Sequence, residues 1–101
     1  METEPRVVDN PDRNRYELWV GQTLAGFIDY WSEPGTIGLV HTEVDPAFEG
    51  RGLGARLVAG ALGDLRRRGL KLMPLCPFVR TWLRRHPEDA DLVADGPAVP
   101  Q

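Results

Sequence analysis

Cysteine is almost missing. Cys76 is the only one in 101 residues, which excludes an intramolecular disulfide and a cysteine cluster for zinc, and fits a reducing compartment. No apolar run approaches the roughly twenty residues that a membrane-spanning helix needs. The opening Met1-Glu2-Thr3-Glu4-Pro5 is acidic where a secretory signal is basic and then apolar. These absences predict a cytoplasmic protein without membrane contact. Internal repeats and long linkers are also missing, so one domain with a modest core is expected: a flexible start over residues 1–12, the domain over 13–93, and a tail over 94–101 short of core-forming residues.

The net charge of −3 conceals an asymmetry. Residues 1–49 carry ten acids and three bases (−7), residues 50–86 nine bases and one acid (+8), and residues 87–101 four acids (−4). The basic region begins at a glycine-dense stretch and suggests a polyanionic small ligand, while the acidic remainder argues against nucleic acid wrapping the chain. Arg66, Arg67 and Arg68 read as a solvated helix end that complements the helix dipole.

Period-two alternation marks strands. Arg13 to Val20 sets Tyr16, Leu18 and Val20 against Arg15, Glu17 and Trp19, and Gly21-Gln22 then suits a two-residue II′ hairpin. A strand over Leu24 to Trp31 closes on Pro34-Gly35, the central pair of a type II turn, and Thr36 to Val44 follows as a third strand. These three form an antiparallel meander. Later, Leu57, Val58, Ala61, Leu62 and Leu65 share one helical stripe that ends near Arg68 and Gly69. Gly60 and Gly63 lie off the stripe and weaken the helix by up to about 1 kcal/mol each, with no function attached. Leu70 to Leu75 is a short strand, placed by a right-handed crossover parallel to Thr36–Val44. Cys76-Pro77 opens a second helix with Phe78, Val79, Trp82 and Leu83 on one apolar face, stopping at His86-Pro87; His86 reads as structural.

Between the third strand and the first helix, Gly50, Gly52 and Gly54 let successive N–H groups converge on one anion, helped by the helix N-terminus. Gly50-x-Gly52-x-x-Ala55 formally satisfies the dinucleotide fingerprint. However, five residues separate it from Val44, no acid follows about twenty positions on, and a second nucleotide-binding half is missing. A triphosphate loop requires Gly-Lys-Ser/Thr, which is also missing. A pyrophosphate remains.

The string from Val44 to Leu57, with Arg51, Gly54 and Arg56 at positions one, four and six of Arg/Gln-x-x-Gly-x-Gly/Ala, resembles the acyl-CoA signature of the GNAT N-acyltransferases. The sixth position departs from the pattern. His41-Thr42-Glu43-Val44, Leu75-Cys76-Pro77-Phe78-Val79 and Trp82-Leu83-x-x-His86-Pro87-Glu88 resemble the very small YjdJ-type members. The resemblance covers residues 13–93. It implies a minimal GNAT fold: an α+β domain of α/β three-layer character, a mixed and mostly antiparallel sheet with a parallel splayed pair, and two packed helices. It also implies acetyl-CoA as co-substrate, without a metal. The pantetheine arm would pair near Glu43 and Val44, and the pyrophosphate would rest on Arg51, Gly52, Leu53, Gly54, Ala55 and Arg56. Arg80, Arg84 and Arg85 are further candidates for the CoA phosphates.

The expected activity is acetyl transfer to a primary amine, on a small molecule or a protein lysine, by a monomer or weak homodimer. A non-catalytic acyl-CoA-binding or protein-interaction module is the alternative. A lysine-like amine with pKa about 10.4 must first lose a proton at pH 7, a cost of roughly 4.6 kcal/mol, so a positioned base or a desolvating, cation-repelling site is required. His41 is the preferred base, since histidine titrates near neutrality. Glu43, two residues on, shares its strand face and either orients His41 or attracts the acceptor ammonium. Cys76, at a helix N-terminus that favours thiolate, either protonates the leaving CoA thiolate or accepts the acetyl group in a double displacement.

Overall fold

A computed structural model describes residues 4–94. The strands are β1 (Arg6–Asn10), β2 (Arg15–Val20), β3 (Thr23–Glu33), β4 (Thr36–Val44) and β5 (Lys71–Pro74), and the helices are α1 (Leu53–Arg67) and α2 (Pro77–Arg85). Short 3-10 turns occupy Pro11–Arg13, Pro46–Phe48 and Pro87–Leu92. The sheet runs in chain order from β1 to β5; the first three pairings are antiparallel and β4 with β5 is parallel, from Thr36↔Lys71 to Leu39↔Pro74. This is the mixed α+β fold with one parallel pair that the sequence predicts.

Each turn follows its chemistry. Gly21 takes φ 62° while Gln22 stays out of the left-handed region, which fits II′ and not I′. Gly35, after Pro34, takes φ 79°, as the third residue of a type II turn requires.

One strand departs from expectation. Residues 6–10, read as part of a flexible start, form β1 and pair with β2 from Arg6↔Trp19 to Asn10↔Arg15. Their fixed points are remote in sequence: Val7 packs against Gly60 of α1, and Asp9 accepts bonds from Tyr30 Oη and Arg68. Of the expected flexible ends, residues 1–3 and 95–101 lie outside the described residues.

Tyr16, Leu18, Ile28, Tyr30, Ile37 and Leu39 turn one sheet face toward Leu57, Val58, Ala61, Leu62 and Leu65 of α1, and Val79 of α2 joins the same core. Burying each such side chain contributes roughly 1.5–3 kcal/mol. Both helices therefore lie on one face, and the described residues form two layers, so the three-layer character is not reached. The opposite face covers itself. Trp31 lies across Gly38, where any Cβ would meet its ring. Glu17 is buried beneath its neighbours, accepting bonds from Arg15 Nε (2.7 Å), Asn10 Nδ2 (3.0 Å) and Trp19 Nε1 (3.1 Å). Burial pushes the Glu17 carboxyl upward, but these three bonds outweigh it and hold it below the usual range.

Candidate active site

The geometry begins with a bulge in β4. Tyr30 faces Leu39 and Asp29 faces His41, which leaves Val40 as an extra residue without a partner. Before the bulge, Ile37 and Leu39 point into the core; after it, the alternation is reversed, and Thr42, opposite the buried Ile28, points to the helix side. His41 and Glu43 consequently stand on the open face, where His41 Nε2 lies 3.1 Å from Glu43 Oε1 and both are exposed. Phe27 completes this group, its ring 6.5 Å from the His41 ring and edge-on, with the Arg15 guanidinium 4.7 Å above it.

β5 stops pairing at the same point. The N–H groups of Leu75 and Cys76 both donate to Leu39 O, at 3.0 and 2.9 Å, and the chain then turns into α2. Past Leu39, β4 continues for five residues without β5 beside it. Asp45 N–H donates to Ala25 O at 2.7 Å, so strand alternation turns the peptide groups of Glu43 toward β3 and those of Thr42 and Val44 toward the open gap. Glu43 O packs against Gly26, where a Cβ would lie 2.7 Å from it. Cys76 is buried and its Sγ lies 3.2 Å from Thr42 Oγ1. The structure thus joins His41 with Glu43 on one face and Cys76 with Thr42 on the other.

The gap opens toward the glycine turn. Asp45 caps the Pro46–Phe48 turn through Ala47 N–H at 2.9 Å, and Gly50 (φ 81°) and Gly52 (φ 72°) then supply two left-handed residues before α1. Gly54 differs from the expectation for all three glycines: it is helical, and it is small because the Phe78 ring passes over it, where a Cβ would lie 2.7 Å from Phe78 Cζ. The first-turn N–H groups have no partner inside the helix. Arg51 stacks over Phe48 at 5.2 Å, and Arg56 lies 3.7 Å from Glu4.

Phe78, on the apolar face of α2, is exposed, and Val79 alone of α2 is fully buried. Phe78, Thr81, Trp82, Arg85 and His86 line a cavity of about 220 Å3 with Ala55 of α1. His86 stacks on Trp82 at 3.7 Å and bonds Glu88 at 3.1 Å, which fits the structural reading. Arg66 bonds Asp89 and Asp91, Arg67 bonds Asp64, and Arg68 bonds Asp64 and Asp9, so these three are tied to carboxylates. Sequence patterns did not single out Thr42, Phe27 or the α1–α2 cavity. Thr42 falls inside a recognised motif, but its direction depends on the bulge.

The described residues thus form a two-layer α+β domain in which a strand pair parts beside a glycine-opened helix N-terminus. The family model for the GCN5-related N-acetyl-transferase matches residues 15–92, and the chain belongs to that family. Among solved structures it is similar to a GCN5-like protein from Staphylococcus aureus, with 19% identity over 90% of this chain and 89% of that one and a TM-score of 0.66, a likeness of fold. It is also similar to a GNAT-family protein from Desulfovibrio desulfuricans, with 26% identity over 75% of this chain and 52% of that one and a TM-score of 0.52. No curated protein matches it.

Proposed function

We propose that the protein transfers an acetyl group from acetyl-CoA to a primary amine. The observation that carries this reading is the parting of β4 and β5 at Leu39, which leaves the Thr42–Val44 edge unpaired beside the N-terminus of α1. An amide-bearing pantetheine arm fits that edge as an added strand. The N–H groups of Arg51, Gly52, Leu53, Gly54 and Ala55, with the side chain of Arg51 or Arg56, suit a pyrophosphate. The cavity beside Phe78 and Arg85 lies next to Ala55 and suits the nucleotide end.

In the chemical step the amine nitrogen bonds to the thioester carbonyl carbon and the carbon–sulfur bond breaks. His41 takes the proton lost by the amine, with Glu43 orienting its ring, and the Cys76 thiol gives a proton to the departing sulfur; solvent then resets both. Thr42 Oγ1 holds the thiol from the helix side.

Calorimetry should show acetyl-CoA binding, and the lack of both heat and a thermal shift at saturation would remove the reading. His41→Ala should lower kcat by about 100-fold or more with little change in acetyl-CoA affinity. Direct transfer predicts no acetyl adduct on Cys76 by mass spectrometry and residual activity in Cys76→Ser. Binding without transfer to any amine would leave the acyl-CoA-binding module.

A further inference from the structure

We infer that the acceptor enters from the sheet face opposite the helices and is a primary amine carrying a second cationic group, held in the cavity formed by Leu24, Phe27, Glu43, Asp45 and Pro46. This rests on the acetyl-transfer reading above. The cavity encloses about 340 Å3. Leu24, Phe27 and Pro46 give it an apolar wall, while its two ionisable groups are both carboxylates. Among the described residues neither pairs with lysine or arginine: Glu43 bonds His41, and Asp45 uses one oxygen on Ala47 N–H. Arg15, which reaches the rim over Phe27, is itself held by Glu17 at 2.7 Å.

The arrangement therefore joins an apolar wall to uncompensated negative charge, directly beside the imidazole proposed as base. A short methylene chain suits the wall, as the stems of lysine side chains suit apolar surfaces generally, with its charged end left at the carboxylates. The bulge at Val40 places His41 and Glu43 on this face, whereas the glycine turn and α1 lie on the other. Donor and acceptor thus meet through the gap from opposite sides. An anionic tail would face like charge and lose its hydration without compensation.

The test uses 1,4-diaminobutane, n-butylamine and 4-aminobutanoate, which carry positive, neutral and negative tails on chains of similar length. Acetyl transfer should rank them in that order. Asp45→Asn keeps an oxygen for the Ala47 cap and removes the charge; it should lower the kcat/KM of the diamine relative to that of n-butylamine about threefold. The preference should fade as ionic strength rises from about 0.05 to 0.5 M. Equal rates, or a preference for the anion, overturn the inference while acetyl transfer stands. If no probe is acetylated, amide NMR decides: 1,4-diaminobutane should shift residues 24–27 and 43–45 more than 4-aminobutanoate does, and equal shifts overturn the inference. Failure of acetyl-CoA to bind, measured without any amine, counts against the transfer reading instead.

Discussion

Gly60 and Gly63 lie three residues apart on α1, and helix propensity treats them alike. Their surroundings do not. A Cβ at Gly60 would lie 2.7 Å from Val7 Cβ and Cγ2, whereas one at Gly63 would meet only the mobile end of Arg67, at 3.5 Å. Gly60→Ala should therefore destabilise the fold by about 1–3 kcal/mol through overpacking against β1, despite alanine's better propensity. Gly63→Ala should stabilise it by about 0.5–1 kcal/mol. Urea unfolding midpoints of the two variants decide both, and equal shifts would contradict the β1 contact. Spacing alone showed the two glycines as off the apolar stripe and no more, because what Gly60 accommodates comes from a strand 53 residues earlier in the chain.

Among the elements, β1 is secured by polar groups. Tyr16 Oη donates to Asp64 at 2.7 Å, Tyr30 Oη donates to Asp9, and Arg68 reaches Asp64 at 3.0 Å and Asp9 at 3.3 Å, linking the end of α1 to β1. Burial first, and then the bonds to Asp64 and Asp9, push both tyrosines well above the ordinary value of 10.0. Burial raises the Asp64 carboxyl, but the bonds from Tyr16 and Arg68 prevail and hold it low. The tyrosines bind their protons more tightly folded than unfolded, so their contribution is fully present below pH 10 and is lost as pH rises beyond it. Alkaline titration should show tyrosinate absorbance appearing together with loss of far-UV dichroism, whereas early tyrosinate in an intact fold would contradict the cluster. The meander, α1, β5 and α2 were legible because alternation, helical spacing and Gly/Pro turns are local signals. β1 was not, since a strand of Arg, Val, Val, Asp and Asn carries no apolar period and is fixed by Tyr30, Gly60 and Arg68.

For the whole molecule, the sheet separates two chemistries. The glycine turn, Cys76 and Thr42 belong to the helix side, and His41, Glu43 and Phe27 to the other, with the gap beyond Leu39 between them. Acetyl-CoA should therefore slow hydrogen exchange at residues 42–44 and 51–55 and leave β1 and β2 unchanged, and protection confined to β1 and β2 would contradict the placement. The glycine turn and the His41/Glu43 spacing were readable from the chain. That His41 and Cys76 lie on opposite faces was not, because Val40 is an ordinary strand residue and nothing in its chemistry announces an unpaired position. That one residue acts as a parity switch. Paired in regular register instead, Val40 would face Asp29, a frameshift in space rather than in code: from His41 to Val44 every side chain would change sides, so that the imidazole was carried beneath the helices and the Thr42 hydroxyl out into water, with composition and length intact.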